Sequence, residues 1–145
     1  MKVVLQRVSK AQVSVENKII GKIKRGVVIL LGITENDTQE NIDYLVNKIL
    51  NLRIFNEEER YFEKSLLEIQ GEILIISQFT LYASCKKGRR PDFIKAAKPE
   101  TAKKLYLNFV EKAKQSGLKT ETGEFGADMQ VELTNDGPVT LTLEK

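Results

Sequence analysis

Alternation of apolar and polar positions in the first third of the chain predicts a run of β-strands. Residues 2–8 alternate weakly and residues 11–15 strictly, which is the pattern of strands with one buried face. Short turn signals then separate residues 19–23 from a continuous apolar run at 26–33. A run without alternation is typical of a strand that is buried on both faces. These segments together predict a β-meander.

Two later segments have the apolar period of an amphipathic helix. In the first, apolar residues recur every three or four positions through residues 42–49, and Asp37 with Glu40 resembles a capping box at its start. The second has a similar stripe and begins at Pro99, which suits a first helical turn. Gly117 suits the end of that helix.

The remaining segments complete the predicted fold. The charged residues 56–70 indicate a surface loop, and EILIIS at residues 72–77 indicates a short strand. Three further strands are predicted near the C-terminus, with a turn at TNDGP between the last two: LKTET, MQVELT and PVTLTLE. Since no repeat or linker interrupts the chain, we expect residues 1–145 to form a single α+β domain, with a mostly antiparallel, barrel-like sheet and two main helices.

Composition narrows the class of protein. The 145 residues are 41% hydrophobic and 30% charged, which is the mix of a soluble globular protein, and the net charge of +3 is too small for a dedicated nucleic-acid-binding tail. The single cysteine excludes an internal disulfide and fits a reducing compartment. The N-terminus lacks the apolar core of a signal peptide, so we expect a cytoplasmic protein without a membrane segment.

Histidine is absent from the chain, and this absence excludes several kinds of chemistry. Ser–His and Cys–His nucleophilic pairs and histidine zinc sites all need the missing side chain. One cysteine cannot build a thiolate site, and the chain has no calcium-binding loop of the DxDxDG type. Mg²⁺ or Ca²⁺ sites made of carboxylates alone stay open on residue types, but no motif indicates one, and we predict neither a metal nor a cofactor.

The stretch SQFTLYASCKKGRR, residues 77–90, combines polar residues with the only cysteine and four cations. On residue types alone, Ser77 and Thr80 are ordinary polar residues at a strand end, since a hydroxyl is a weak nucleophile without a base. Backbone N–H groups at such an end can nevertheless stabilise an oxyanion without a titratable side chain. Cys85 has no histidine to activate it and is more typical of a structural or incidental residue.

The basic part of this stretch has two interpretations. It is either a solvated loop or a contact for tRNA phosphates, with Tyr82 close enough in sequence to stack on a base, and it contains Lys86, Lys87, Arg89 and Arg90. Two glycine-containing segments are equally open. GEFGADM at 123–129 is either a turn or a backbone-lined rim. Gly137–Pro138 is a candidate for a cis bond, although a trans turn is the ordinary expectation.

Five motifs in this order resemble the D-aminoacyl-tRNA deacylases, also called D-tyrosyl-tRNA deacylases: QRV at 6–8, SQFTL at 77–81, KKGRRPDF at 86–93, GEFGADM at 123–129 and NDGPVTL at 135–141. The resemblance covers essentially the whole chain. It implies a homodimer that hydrolyses the ester between a D-amino acid and the 3′ end of tRNA. It also implies activity on glycyl-tRNA mischarged on tRNA-Ala.

The resemblance further implies roles for particular residues. Gly137 and Pro138 would form a cis pair that enters the active site of the partner subunit, where their carbonyl oxygens leave no room for an L side chain. Arg7 would orient that pair, and Met129 would line the pocket. The pocket floor and catalytic residues would be Ser77, Gln78, Phe79 and Thr80.

Two questions stay open at the level of sequence. The backbone N–H groups of Phe79 and Thr80 would hold the oxyanion, with water and the terminal ribose 2′-OH moving protons, whereas the rival mechanism makes Thr80 a covalent nucleophile. The alternative functions are a non-catalytic tRNA- or RNA-binding module that uses the basic loop and Tyr82, and a plain dimeric structural domain.

Overall fold

The computed structural model describes residues 1–145 and contains eight β-strands and two α-helices. The strands are Lys2–Val15 (β1), Lys18–Ile23 (β2), Gly26–Gly32 (β3), Phe55–Glu57 (β4), Arg60–Lys64 (β5), Glu72–Ser77 (β6), Thr120–Thr122 (β7) and Gln130–Glu144 (β8). The helices are Gln39–Asn51 (α1) and Pro99–Lys114 (α2), and a short 3₁₀ helix covers Phe79–Tyr82. Neither α-helix is long and apolar enough to span a membrane.

Strand β1 organises the main sheet. One edge of β1 pairs antiparallel with β8 along nearly its whole length, while the other edge pairs with β3 at residues 2–8 and with β2 at residues 11–15. β6 lies parallel to β3, and β7 lies parallel to β6. The predicted meander is therefore wrong in one respect: β2 and β3 follow one another along the same edge of β1 and do not pair with each other.

The sheet curls until its end strands β2 and β7 nearly meet. The Lys119 ammonium beside β7 donates to the Lys22 carbonyl of β2 at 2.8 Å. A β-carbon on Gly21 would lie 2.8 Å from the Thr122 carbonyl oxygen, so glycine is what permits this approach. Three of the five strand pairings in the sheet are antiparallel. The predicted mostly antiparallel, barrel-like sheet with two main helices is confirmed.

Apolar side chains pack on both faces of the sheet. The apolar run at 26–33 contributes Val27, Ile29 and Leu31 to the larger cluster, which α1 and α2 cover, and Val28 to a smaller cluster on the other face. The prediction of a strand buried on both faces is confirmed at β3. The predicted stripe of α1 is buried as well, because Ile42, Leu45, Val46 and Ile49 all belong to the larger cluster.

The start of α1 differs from the sequence prediction by one residue. The N-cap is Thr38, whose backbone N–H donates to the Asn41 side chain at 2.8 Å, so the capping box is not formed by Asp37 and Glu40. Asp37 is occupied elsewhere: its carboxylate accepts from the Thr34 N–H at 2.8 Å and pairs with the N-terminal ammonium.

Two segments predicted as a loop and a turn are strands. Residues 56–70 contain most of the hairpin of β4 and β5, whose strands are short and largely exposed, so their sequence lacks the apolar alternation that would have indicated them. The TNDGP segment does not separate two strands. It lies within β8, which continues on both sides of it as one strand beside β1.

Candidate active site

A cavity of about 550 Å³ opens where β3, β6 and β8 meet the start of α2. Twelve of its sixteen lining residues are hydrophobic, and no lining side chain is ionisable. The predicted residues Ser77, Gln78, Phe79 and Met129 all line it. An apolar cavity with a few polar groups at one end is the usual form of a small-molecule subsite.

The floor of the cavity is formed where β6 ends. Ser77 is the last residue of β6, and the chain then turns into the 3₁₀ helix. The Gln78 N–H donates to the Leu31 carbonyl at 2.8 Å and thereby fixes the turn to β3. The Gln78 side-chain amide donates to the Thr80 hydroxyl.

Phe79 and Thr80 are the first two residues of the 3₁₀ helix. In a 3₁₀ helix each N–H bonds to the carbonyl three residues earlier, and for these two residues that carbonyl lies before the helix. Their backbone N–H groups therefore have no acceptor within the helix. The Phe79 ring is 55% exposed and meets the Phe93 ring edge to face, with 4.9 Å between the centroids. Thr80 is exposed and does not line the cavity, and its hydroxyl contacts only the Gln78 amide.

The opposite wall is built by the segment before β8. A β-carbon on Gly123 would lie 2.5 Å from the Met129 sulfur, so this glycine leaves the space that Met129 fills. The Phe125 ring lines the cavity and lies 5.7 Å from the Tyr106 ring beneath it. The Tyr106 hydroxyl donates to the Ile75 carbonyl at 3.0 Å, and burial raises the pKa of Tyr106 to about 12.

Gly137 and Pro138 lie at the surface in a bulge of β8 and do not line this cavity. Their peptide bond is cis, and Gly137 has φ +123°, a conformation that favours glycine. The pairing of β1 with β8 jumps from Gln6 opposite Thr140 to Val8 opposite Asn135. The bulge therefore projects away from the strand, outside the cavity of its own chain.

Arg7 joins this bulge to the β4 region. Its side chain is almost fully buried, at 7% exposure. Its Nε donates to the Asp136 carbonyl at 2.9 Å, and its Nη1 donates to the buried carbonyl of Ile54. The Asp136 carboxylate also lies 3.6 Å from Nε. Arg7 thus contacts the bulge directly but has no contact with the cavity.

The basic segment forms an exposed loop at the side of the cavity. Its base is closed by paired backbone hydrogen bonds between Ser84 and Asp92, at 2.8 and 3.0 Å, and Gly88 takes a positive φ at its tip. The loop carries the exposed Cys85 and four exposed cations, none of which takes part in an ion pair: Lys86, Lys87, Arg89 and Arg90. Cations without carboxylate partners remain available to an anionic ligand.

Most of the apolar wall of the cavity was not predicted from the sequence. Ile33, Phe93, Ala97 and Ala102 line the cavity, but in the sequence they look like ordinary core or loop residues. Phe93 was the one with a detectable signal, since it closes the motif KKGRRPDF. The structure places four of the predicted residues in the lining of one cavity: Ser77, Gln78, Phe79 and Met129. It leaves four others outside that lining: Thr80, Gly137, Pro138 and Arg7.

The matching family model and the curated relatives agree on one class of protein. The family model described as D-Tyr-tRNA(Tyr) deacylase matches residues 4–144. The D-aminoacyl-tRNA deacylase of Thermosipho melanesiensis is 59% identical over 145 residues, covering 99% of this chain and 97% of that protein. The enzyme of the same name from Clostridioides difficile is 53% identical over 144 residues, with the same coverage of 99% and 97%.

Solved structures share the fold. The c-Myc DNA unwinding element binding protein superposes with a TM-score of 0.93 at 45% identity, covering 100% of this chain and 99% of that one. A probable eukaryotic D-amino acid tRNA deacylase superposes with a TM-score of 0.87 at 21% identity, covering 98% and 97%, which supports the fold alone.

The fold and the matches together define an ester-hydrolysing enzyme of the tRNA deacylase class. The chain belongs to the D-Tyr-tRNA(Tyr) deacylase family. The resemblance and the enzyme class that the sequence motifs indicated are confirmed. The roles of individual site residues remain predictions.

Proposed function

We propose that this protein hydrolyses the ester bond of D-aminoacyl-tRNA, and of glycyl-tRNA mischarged on tRNA-Ala, and that it spares L-aminoacyl-tRNA. The observation that carries the proposal is the cavity at the end of β6, which offers backbone donors and apolar walls but no ionisable side chain. Membership of a deacylase family supplies the reaction. Free D-amino acid or glycine and tRNA are the products, and the cytoplasm is the expected compartment.

The proposal includes a homodimer in which each subunit completes the other's site. Gly137 and Pro138 are exposed and lie outside the cavity of their own chain, so a role in substrate selection requires the cavity of a second copy. β8 pairs only with β1 and has a free edge along its 15 residues, and a long free edge favours association. In the dimer, the bulge of one subunit would close the cavity of its partner.

The enzyme would distinguish D- from L-aminoacyl-tRNA by steric exclusion. A D-amino acid and its L isomer present the same groups, so no apolar pocket separates them strongly by attraction alone. Two carbonyl oxygens facing the α-carbon would leave room for hydrogen but not for an L side chain, which rejects the wrong isomer by a clash. Glycine has no side chain, so a glycyl group would also fit the site without a clash.

The hydrolysis itself would need only modest assistance, because an aminoacyl ester is already activated. The backbone N–H groups of Phe79 and Thr80 would stabilise the developing oxyanion, a kind of contact worth roughly 3–4 kcal/mol in known enzymes. The cavity has no side chain that could act as a general base. Water and the 2′-OH of the terminal ribose would therefore carry the protons.

The test is hydrolysis of matched D-Tyr-tRNA, L-Tyr-tRNA and glycyl-tRNA by the purified protein. Release of D-tyrosine and glycine, with L-Tyr-tRNA left intact, is the expected result. A non-catalytic RNA-binding module, which the unpaired cations of residues 86–90 favour as the second candidate, would bind tRNA and release no amino acid. A purely structural dimer would show no salt-dependent tRNA binding at all.

Thr80→Ala is expected to retain most of the hydrolytic rate, within about tenfold of wild type, because the proposed oxyanion contact uses the backbone of Thr80 and not its hydroxyl. Single-turnover rates with D-Tyr-tRNA measure this. Gln78→Ala, which removes the partner of that hydroxyl, serves as the companion variant. Near-complete loss of activity in Thr80→Ala, together with an acyl-enzyme trapped in the wild type, would establish the nucleophile mechanism instead.

Replacement of the four loop cations by alanine is expected to weaken tRNA binding and to flatten its salt dependence. Four lost phosphate contacts would reduce the slope of log affinity against log salt by about three to four. Fluorescence titration with tRNA at several salt concentrations measures that slope. The rate on saturating D-Tyr-tRNA is expected to change little, since the loop does not line the cavity.

A matched control changes the charge equally on other elements of the chain. The control replaces four exposed lysines that take part in no ion pair and lie around β2 and on α1: Lys18, Lys22, Lys24 and Lys48. Their replacement by alanine alters the net charge by the same amount, so this variant measures only the general electrostatic attraction between the protein and tRNA. Equal slopes in the two quadruple variants would mean that the loop has no special contact with phosphates.

A further inference from the structure

The bulge in β8 removes four residues from the hydrogen-bond ladder with β1. Gln6 lies opposite Thr140 and Val8 lies opposite Asn135, so the single residue Arg7 faces residues 136–139. Backbone groups in such a bulge lose their cross-strand partners. Another donor or acceptor has to satisfy them if the bulge is to keep one conformation.

The Asn135 side chain supplies these contacts on the far side of the bulge. Its Oδ1 accepts from the Val139 N–H at 2.9 Å, and its Nδ2 donates to the Thr140 hydroxyl at 2.8 Å. The two bonds run from the residue before the bulge to the two residues after the Gly–Pro pair. They form a clamp, by which we mean the Asn135 carboxamide with its bonds to Val139 and Thr140.

Arg7 and the clamp hold different parts of the bulge. Arg7 donates to the carbonyl of Asp136, ahead of the Gly–Pro pair. The clamp fixes Val139, which directly follows the pair and is buried at 8% exposure. Without the Asn135 side chain, Arg7 would still hold the first residue of the bulge, but the Val139 N–H would lose its acceptor.

We propose that Asn135 is a positioning residue for the rejection of L-aminoacyl-tRNA, acting through Gly137 and Pro138. The inference rests on the proposed function, in which the carbonyl oxygens of that pair exclude an L side chain. Steric exclusion depends on where those carbonyls lie, and a shift of about 1 Å is enough to change a rate strongly. The clamp makes no contact with the cavity of its own chain, so its effect has to pass through the bulge.

A positioning role predicts that loss of the clamp increases hydrolysis of L-Tyr-tRNA. This gain distinguishes the role from a contribution to stability. A loosened bulge tolerates the L side chain, so the rate on L-Tyr-tRNA rises relative to the rate on D-Tyr-tRNA. Simple destabilisation lowers the amount of folded enzyme and therefore lowers both rates together, leaving their ratio unchanged.

The experiment compares kcat/KM on D-Tyr-tRNA and L-Tyr-tRNA for the wild type, Asn135→Ala and Asn135→Asp. In Asn135→Ala we expect the L-to-D ratio to rise about tenfold or more, the scale of one lost hydrogen bond. Asn135→Asp keeps an oxygen that accepts from the Val139 N–H, so it is expected to restore most of the discrimination. Gln12→Ala is the matched control, because it removes a 3.0 Å bond between β1 and β8 outside the bulge.

Amide hydrogen exchange gives a readout that does not depend on activity. The Val139 amide is expected to exchange faster in Asn135→Ala than in Asn135→Asp or Gln12→Ala. Thr140→Val keeps the Val139 contact of the clamp and removes the bond from Asn135 to the Thr140 hydroxyl, together with a 3.3 Å bond from Gln6 Nε2 to the same hydroxyl. It keeps the test available if Asn135→Ala does not fold, and a smaller rise in the ratio is expected. If the wild type is active but the L-to-D ratio is the same in all variants, the positioning role of Asn135 is wrong and the proposed function stands. A wild type that releases no D-tyrosine would overturn the proposed function and the positioning role with it.

Discussion

Gly137→Ala is expected to lower kcat/KM on D-Tyr-tRNA by about 10²-fold or more, because the added methyl group would intrude on the partner's cavity or misplace the bulge that enters it. Gly137 has φ +123°, which an alanine adopts only under strain. Its new methyl group would lie 2.5 Å from Nη2 of Arg7 and 3.1 Å from a methyl of Val139. Arg7 cannot easily retreat, since its other nitrogens are bonded to the carbonyls of Ile54 and Asp136.

The control for this substitution is another glycine with a positive φ. Gly117 follows α2 at φ +79°, and no atom lies within 4 Å of the position that a β-carbon would take. Gly117→Ala therefore introduces a similar backbone strain without a clash, and we expect it to lower stability by about 1 kcal/mol with little change in rate. Thermal unfolding of both variants shows whether lost activity reflects lost folding.

Mixing two inactive variants tests whether the site is shared between subunits. Gly137→Ala has an intact cavity and a damaged bulge, whereas Ala102→Trp fills the cavity and keeps the bulge intact. In a mixed dimer, the cavity of the first would meet the bulge of the second. Random reassortment should then restore about a quarter of the wild-type sites. Absence of any recovery in dimers that demonstrably exchange would contradict the model in which the bulge acts across subunits.

The elements that the sequence predicted correctly are those with strong local patterns. β3 was visible because its run of apolar residues has no polar interruption, and α1 because its stripe repeats at helical spacing. The hairpin of β4 and β5 was missed because its strands are short and, apart from the buried Phe55, its side chains are exposed or half-buried and carry no such pattern. Its strands are held instead by pairing with one another, for example Glu57 opposite Arg60.

Some features of the site were likewise predicted from the sequence, and others were not. Ser77 and Gln78 were found through the family resemblance that the motif SQFTL carries, since residue types alone indicate an ordinary strand end, and the turn that follows them was not visible. That turn depends on a long-range bond from the Gln78 N–H to Leu31, which no local pattern records. The bulge in β8 was read as a turn for the same reason: whether residues 136–139 turn back or project is decided by the pairing of the flanking segments with β1.

Arg7→Met is expected to reduce both the stability of the protein and its discrimination between D- and L-aminoacyl-tRNA. Methionine fills a similar volume but donates no hydrogen bond, so the buried Ile54 carbonyl and the Asp136 carbonyl both lose their donor. A buried polar group without a partner costs about 1–3 kcal/mol, so we expect a loss of about 3 kcal/mol in the free energy of unfolding. Denaturant titration measures this loss.

Two further variants separate the roles of Arg7. Arg7→Lys keeps the charge, but a single ammonium lacks the fork that reaches two carbonyls in different directions, so discrimination is expected to recover only in part. Arg25→Met makes the same chemical change at an exposed arginine that lies 5.6 Å from the Phe55 ring, and it should change stability by less than about 1 kcal/mol. If Arg7→Met is destabilised but keeps its rate on D-Tyr-tRNA and still rejects L-Tyr-tRNA, then Arg7 supports only the fold. In that case the position of Gly137 and Pro138 would have to be fixed by β8 itself.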